Sequence, residues 1–267
     1  KHAAAKNPEK APRFWRDDAL PFIEARAIAD GREVCYARHS HAHFSIGAIT
    51  AGRSTYVHEQ AQYEVAAGTV VLMNPGDVHA CNPIDDQPWS YVMLYVDVAW
   101  LRETGFGADL AACMSTDAVL FESLLALHAT LLDERHETAV KYRAVVDFFK
   151  LLHSPIPLAD VVKSSNPKLT RAANFIDAQF THNLRLTDVC AASNLSAAHL
   201  VRAFKAQDGM TPRAYLINRR INHAQMQLKQ GNSIAAVAHD MGFADQAHFQ
   251  RRFKRVVAAT PEHYRKK

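Results

Sequence analysis

The feature that most constrains the fold is an internal repeat in the last third of the chain. The segment Ala198–Lys205, Ala-His-Leu-Val-Arg-Ala-Phe-Lys, recurs as Ala247–Lys254, Ala-His-Phe-Gln-Arg-Arg-Phe-Lys, at an offset of 49 residues. Each copy has the spacing of an amphipathic helix, with an apolar pair on one side and an Arg/Lys pair on the other. The repeat therefore predicts two copies of one helical unit.

Each copy is preceded by a second helical segment and a turn. In the second copy, Ser233 can cap a helix and Gly242 can end it. The apolar face of that helix consists of Ile234, Val237, Ala238 and Met241. Upstream of the turns the offset is 48 residues, which makes the second turn one residue longer. Helix, turn and basic helix in this order predict a helix-turn-helix, whose second helix enters the major groove of DNA.

The last 100 residues resemble the DNA-binding domain of the AraC/XylS family of transcription regulators. The residues that carry the resemblance are Gly242-Phe243, His248-Phe249, Arg251, Phe253-Lys254, Thr260-Pro261 and Tyr264-Arg265. The resemblance implies two helix-turn-helix units, at about residues 186–208 and 233–257, within a DNA-binding domain spanning 168–267. Pro212 suits the first turn of a helix joining the two units, and Gly231 suits its end.

The charges are divided between the two parts of the chain. Residues 167–267 hold 16 Lys and Arg against 6 Asp and Glu, a net charge of +10, whereas residues 1–166 carry a net charge of −6. A basic region that coincides with the repeated helices is typical of a domain that binds double-stranded DNA.

Side-chain chemistry assigns roles within the repeats. Arg202, Arg251 and Gln246 are the candidates for base contacts, since Arg can bind guanine and Gln adenine through two hydrogen bonds. Lys205, Lys254 and Arg255 suit phosphate contacts. The remaining candidate DNA contacts are Ala198 and Ala247. Because Ala can contact only a thymine methyl group, we expect the first unit to recognise DNA shape and thymine, with the two sites about 34 Å apart.

The first half of the chain has a different pattern, with short β-prone runs separated by turns such as Asn74-Pro75-Gly76-Asp77. This pattern predicts a sandwich or small barrel over residues 13–115. The runs Arg38–Phe44, Arg-His-Ser-His-Ala-His-Phe, and Gly68–His79, Gly-Thr-Val-Val-Leu-Met-Asn-Pro-Gly-Asp-Val-His, are similar to the cupin-type sensor domain common in the AraC/XylS family, and this similarity spans roughly residues 30–100. The expected fold is therefore α+β with two domains: a cupin-like β-barrel followed by amphipathic helices, then an all-α domain. The resemblance implies a small-molecule effector in the barrel cavity.

Histidines and tyrosines are the candidate ligands in that cavity. His39, His41 and His43 alternate as in a strand, and His79 follows a turn that can bring it near them. The candidate effector-binding residues are His39, His41, His79, Tyr91 and Tyr95. Three imidazoles can also bind a transition metal, zinc or a nickel-like ion. The Glu that metal-binding cupins usually place after the His pair is missing, so metal ligation, effector binding and simple packing of these histidines all stay open.

The regions flanking the barrel have simpler patterns. Residues 1–12 are predicted to be a loose tail, and 154–167 a Pro- and Ser-rich linker. Residues 116–153 have the spacing of two amphipathic helices, which either pack on the barrel or, as the resemblance implies, form a homodimer interface.

Composition excludes several classes of protein. No apolar run is long enough to span a membrane, so we expect a soluble cytoplasmic protein. The scattered cysteines form no zinc cluster and no disulfide framework. The leading hypothesis is a transcription regulator, not an enzyme, that contacts promoter DNA and RNA polymerase under effector control. The alternatives are a metal-dependent cupin enzyme or metal sensor fused to a DNA-binding domain, and an architectural DNA-binding protein.

Overall fold

A computed structural model describes residues 11–153 and 166–265. Most of the predicted tail, and the predicted linker except for its last two residues, lie outside the described residues. The strands are β1 Arg13–Arg16, β2 Ile23–Ile28, β3 Phe44–Ala51, β4 Arg53–His58, β5 Ala61–Ala66, β6 Val70–Met73, β7 His79–Pro83, β8 Ser90–Val96 and β9 Met114–Ser115. The helices are α1 Val98–Glu103, α2 Ala118–Leu132, α3 Thr138–Leu152, α4 Pro167–Gln179, α5 Leu186–Ser193, α6 Ala197–Asp208, α7 Pro212–Lys229, α8 Ile234–Asp240, α9 Gln246–Val257 and α10 Pro261–Arg265.

The strands form two antiparallel sheets that face each other as a cupin-like barrel. The larger sheet has the order β1-β2-β8-β3-β6-β9 and the smaller one β5-β4-β7. Alternation along the strands separates two cores: Ile46 and Leu94 face the helices, whereas Ile49 and Tyr91 face the barrel interior. The predicted α+β fold with two domains is confirmed.

The two predicted amphipathic helices, α2 and α3, cover the outer face of the larger sheet. Their apolar stripes join the core of that sheet, where Leu124, Val145 and Phe149 are fully buried. The packing alternative therefore accounts for most of the apolar spacing between residues 116 and 153. Val119 and Val140 stay 62% and 46% exposed on the outer side.

Several elements differ from the sequence-based expectation. The β-prone residues Val34-Cys35-Tyr36 do not form a strand, and β1, β2 and α1 were not predicted. The strand β2 reads Ile-Glu-Ala-Arg-Ala-Ile, so apolar and charged residues alternate as on a solvated edge. All six residues are nevertheless buried, because β2 lies between β1 and β8.

The helical domain contains both predicted units, α5–α6 and α8–α9, joined by α7. Ser233 caps α8 by accepting a hydrogen bond from the backbone of Ala236 at 3.2 Å. Gly242 follows α8 in the left-handed region, with φ of 66°. Ser196 stands at the start of α6, but its side chain makes no capping hydrogen bond there. The two turns and the connecting helix thus follow the predicted order.

Arg220 of α7 is a structural residue. Its guanidinium donates hydrogen bonds to the carbonyl oxygens of Phe180, His182 and Gly242 at 2.6–2.7 Å, and the residue is 7% exposed. Its guanidinium is therefore engaged within the fold and is not available for a contact with the DNA backbone. The neighbouring Arg219 forms an ion pair with Asp177 at 2.7 Å.

The helical domain is seated directly on the barrel. The contacts that join them include Arg16 Nη1 to Tyr264 O (2.8 Å), Lys229 Nζ to Glu24 Oε2 (2.7 Å), Gln60 Nε2 to Ala206 O (2.9 Å) and Ala37 N to Arg255 O (2.8 Å). Glu24 is 7% exposed, and the positive charges of Lys229 and Arg16 hold the pKa of its carboxyl below the ordinary value against the opposing effect of burial. Among the described helices, none is long and apolar enough to cross a membrane.

Candidate DNA interface and effector site

The predicted DNA contacts lie on the exposed faces of the two recognition helices, α6 and α9. Exposed positions are Ala198, Arg202 and Lys205 in α6, and Gln246, Ala247, Arg251, Lys254 and Arg255 in α9. On the opposite face, Phe204, Phe249 and Phe253 are completely buried. The apolar periodicity of each helix therefore fixes which side chains face outward.

The carboxyl ends of both recognition helices rest on the barrel. At α6, Gln60 donates to the carbonyl oxygens of Lys205 and Ala206 at 3.3 and 2.9 Å. At α9, the backbone of Ala37 donates to the carbonyl oxygen of Arg255. The barrel therefore contacts the end of each recognition helix, while the amino-terminal turns of both helices stay exposed.

The two histidines of the repeat differ in environment. His248 is half-buried, its ring lies 5.5 Å from that of Phe243, and its Nε2 accepts a hydrogen bond from Arg252 at 3.3 Å. His248 therefore packs against its neighbours, whereas His199 of the first copy is exposed.

At the mouth of the barrel, the structure brings together His39, His41 and His79. The segment around His39 and His41 is a loop and not the predicted strand, held to β7 by backbone hydrogen bonds between His39 and His79. The His79 ring lies 4.4 Å from that of His39 and 4.8 Å from that of His41. The His43 ring centroid lies 6.4 Å from that of His41, and His43 lines the cavity between the two domains.

Backbone carbonyls orient all three rings in the same way. The Nδ1 atoms of His39, His41 and His79 each lie 2.9 Å from a carbonyl oxygen, which favours the tautomer with hydrogen on Nδ1. Burial, followed by the neighbouring histidines, lowers the pKa of His39 and of His79 to about 3, and the pKa of His41 lies well below its usual range. At neutral pH the cluster therefore presents uncharged rings whose Nε2 atoms accept hydrogen bonds.

The geometry of the histidine cluster bears directly on the metal hypothesis. Among the described residues, no group of three or more His, Cys, Asp or Glu side chains is arranged to hold a metal ion. The zone after His43, at Ser45, Ile46 and Gly47, supplies no carboxylate. The geometry does not support a three-histidine metal site, and a hydrogen-bonding role for the cluster fits better.

A cavity of about 640 Å³ lies between the barrel mouth and the helical domain. From the barrel it is lined by Arg26, His39, His41 and Tyr95, and from α7 by Asn222 and Lys229. His39 and Tyr95 also border a small void deeper in the barrel, next to His79 and Tyr91. Each of the five predicted effector residues thus lines the cavity or the small void, and His39 and Tyr95 line both.

Sequence reasoning missed Arg26, which is the most unusual residue in this region. It is 3% exposed, and no described residue bonds to its Nε or Nη2 atom. A buried guanidinium seldom keeps two nitrogens without an acceptor. The charged position in β2 was the only available signal, and it looked like a solvated edge.

Ser40 connects the histidine cluster to the DNA-binding domain. Its carbonyl oxygen accepts hydrogen bonds from Asn218 and Asn222 of α7, both at 2.9 Å. Asn218 also bonds to the hydroxyl and backbone nitrogen of Ser40, and both residues are buried. Ser40 lies between His39 and His41, so the same short loop lines the cavity and holds the helix that joins the two units.

Comparisons with known proteins agree with this architecture. Residues 22–146 match the family described as AraC-like ligand binding domain, and residues 189–267 match a helix-turn-helix domain. The chain is 29% identical over 226 residues to the uncharacterized HTH-type transcriptional regulator YbfI of Bacillus subtilis, covering 80% of this chain and 81% of the relative. It is 23% identical to the raffinose operon transcriptional regulatory protein RafR of Pediococcus pentosaceus, covering 91% and 94%.

The solved structures show the same fold. A single-substitution variant of apo ToxT from Vibrio cholerae superposes with a TM-score of 0.57 at 16% identity, covering 91% of this chain and 96% of that one. Unsaturated fatty acid bound wild-type ToxT gives 0.56, also at 16% identity, covering 94% and 97%. An AraC-like ligand-binding domain thus precedes the duplicated helix-turn-helix domain, and the chain belongs to the AraC family of DNA-binding transcription regulators.

Proposed function

We propose that this regulator is controlled by a small-molecule effector that occupies the cavity between the barrel mouth and α7. The observation that carries the proposal is the position of Ser40, whose neighbours His39 and His41 line the cavity while its own backbone is bonded to α7. An effector that contacts these histidines acts on the loop that holds the DNA-binding domain.

Control requires the effector to bind two arrangements of the domains with different affinity. One arrangement is the seated state, in which the barrel contacts the ends of α6 and α9. Movement of the loop at Ser40 would weaken its bonds to Asn218 and Asn222, and this would change how the two recognition helices are held relative to each other. ToxT, which has the same fold, has been solved with an unsaturated fatty acid bound, and this supports a small-molecule ligand for the present chain.

The proposal includes double-stranded promoter DNA, a second copy of this chain and RNA polymerase as partners. The exposed faces of α6 and α9 support the DNA contact. Val119, Leu132, Val140 and Tyr142 are apolar or aromatic side chains of α2 and α3 that stay exposed, which supports a homodimer through these helices.

Binding of the full chain to DNA from upstream of its own gene tests the proposal. The wild type should prefer this DNA to a shuffled duplex at physiological salt. Replacing both Asn218 and Asn222 with Ala should change the affinity for promoter DNA, measured without effector, by about 5-fold or more. The reason is that the seated state loses its bonds to Ser40.

Asn232→Ala is the matched control, because Asn232 is exposed beyond the end of α7. It should bind like the wild type. Equal binding to promoter and shuffled DNA contradicts the regulatory function, whereas an unchanged affinity of the double variant contradicts only the route through Ser40.

A further inference from the structure

The strongest unexplained feature of the cavity is Arg26. Its guanidinium lies within 5.4 Å of the ring centroids of Phe14 and Tyr36, so aromatic groups already surround it. The nearest carboxylate along the same strand face, that of Glu24, is bonded to Arg16 and Lys229 instead. Tyr95 is a polar neighbour of the guanidinium, but among the described residues Nε and Nη2 of Arg26 have no hydrogen-bond acceptor.

These two nitrogens form the edge of a guanidinium that binds a carboxylate through two parallel hydrogen bonds. The chain itself uses the edge in this way. In Arg135, Nε and Nη2 donate to the two carboxylate oxygens of Asp133 at 2.9 and 2.7 Å. Arg32 holds Asp30 with the same pair of nitrogens. The Nε and Nη2 atoms of Arg26 are themselves shielded from solvent, but Arg26 lines the cavity and no described carboxylate bonds to its guanidinium.

The rest of the site requires hydrogen-bond donors from a ligand. No described residue bonds to Nε2 of His39 or of His79, and both atoms are acceptors because the hydrogens lie on Nδ1. A hydroxyl group can donate to such a nitrogen. An ammonium group could also donate, but it would lie beside Arg26, whose charge no described carboxylate pairs, and the Glu24 carboxylate of the same cavity is already bonded to Arg16 and Lys229.

We propose that the effector is an organic carboxylate with at least one hydroxyl group. Its carboxylate binds the guanidinium of Arg26, and its hydroxyl donates to Nε2 of His39 or His79. This inference rests on the proposed function, which supplies the effector and its cavity. A volume of about 640 Å³ lies within the usual range for small-molecule sites.

The bound carboxylate would also explain why a buried charge is kept. A charged group buried without partners destabilises a protein, whereas a bidentate ion pair offsets that effect. Arg26 therefore contributes to affinity for the effector and not to the stability of the unliganded protein. Arg26→Met should consequently leave the unliganded unfolding temperature equal to or above that of the wild type.

Thermal unfolding of the full chain with defined probes tests the ligand class. The probes are gluconate, glucuronate and mandelate, each beside its primary amide, with oleate as a carboxylate lacking hydroxyl groups and glucose 6-phosphate as a hydroxylated phosphate. At least one hydroxy carboxylate should raise the unfolding temperature by about 3 °C or more at millimolar concentration, and its amide should not. Arg26→Met and Arg26→Gln should both abolish the shift.

Arg53→Gln is the matched control, since Arg53 lies on the exposed surface of the same barrel and pairs with Glu64. It should keep the full shift. The inference is overturned if no hydroxy carboxylate stabilises the protein, if amides, oleate or glucose 6-phosphate stabilise it equally well, or if Arg26→Met lowers the unliganded unfolding temperature.

A DNA-binding measurement on the same samples separates this inference from the proposed function. If a neutral probe alters promoter binding and the carboxylates do not, effector control stands and the ligand class is wrong. If the chain shows no preference for promoter DNA while a hydroxy carboxylate stabilises it through Arg26, the ligand class stands and the regulatory function is wrong.

Discussion

The two helix-turn-helix units have the same arrangement of helices and turn, but their recognition helices expose different side chains. On the first recognition helix, α6, the exposed polar candidates are Arg202 and Lys205, and Ala198 occupies a position of the first turn. On α9 they are Gln246, Arg251, Lys254 and Arg255. Since only Arg, Gln and similar side chains can form paired hydrogen bonds to a base, sequence discrimination should be concentrated in the second unit.

The units also differ in how the first turns of their recognition helices are stabilised. The side chain of Asp245 accepts a hydrogen bond from the backbone of His248 at the start of α9. Arg220 additionally bonds to the carbonyl oxygen of Gly242 in the preceding turn. At the start of α6, Ser196 makes no side-chain capping bond. The copy with more candidate base-contacting side chains is therefore also the one whose recognition helix has a capped amino-terminal turn.

Arg251→Ala gives the largest expected difference between the units. Loss of a bidentate contact to guanine should reduce discrimination at that base by about 1–3 kcal/mol, or roughly 5- to 150-fold in relative affinity. Binding of the full chain to a set of duplexes with single base changes in each half-site measures this effect.

Arg202→Ala is the comparison for that measurement, because Arg202 occupies the equivalent position of α6. It should also relax preference at one base, but the rest of its half-site should retain only shape and thymine preferences. Strong and equal guanine or adenine preferences in both half-sites of the wild type would show that the comparison between the units is wrong.

The arrangement of helices and turn in both units could be predicted from sequence, because periodic apolar residues and turn residues determine it locally. Gly242 ends one helix through its own backbone conformation, and Phe249 and Phe253 are buried because their spacing requires it. Long-range contacts could not be predicted in this way. Arg220 appeared to be a surface residue of a basic helix, and only packing showed that it bonds to carbonyl groups from two other segments.

The effector site shows the same limit. The clustering of His39 and His41 with His79 was predicted, although the segment that holds them is a loop and not a strand. Arg26 was missed because a charged residue alternating with apolar ones usually faces solvent. Its burial depends on β1 and on the helical domain, which cover that side of the barrel, and neither position can be read from local spacing.

Asp245→Ala should have a smaller effect than Arg251→Ala, and this effect should be on the stability of α9. Loss of the cap should destabilise α9 by about 1 kcal/mol, whereas Ser196→Ala should have almost no effect because no capping bond is lost. Hydrogen exchange of the backbone amides in the first turns of α9 and α6 measures each helix separately. Similar losses of protection in the two variants would contradict the proposed difference in side-chain capping between α9 and α6.

The smallest difference is expected for the two lysines, because phosphate contacts carry no sequence information. Lys254→Ala and Lys205→Ala should each weaken binding to all duplexes alike and reduce the slope of log affinity against log salt by about 0.9. A titration over several salt concentrations measures the slope.

Lys205 lies where Gln60 bonds to the carbonyl end of α6, so the phosphate contact of Lys205 depends on how the barrel holds this helix. If Lys205→Ala leaves the slope unchanged while Lys254→Ala reduces it, α6 does not reach the DNA backbone in the seated arrangement, and the first unit engages DNA only after the barrel contact changes.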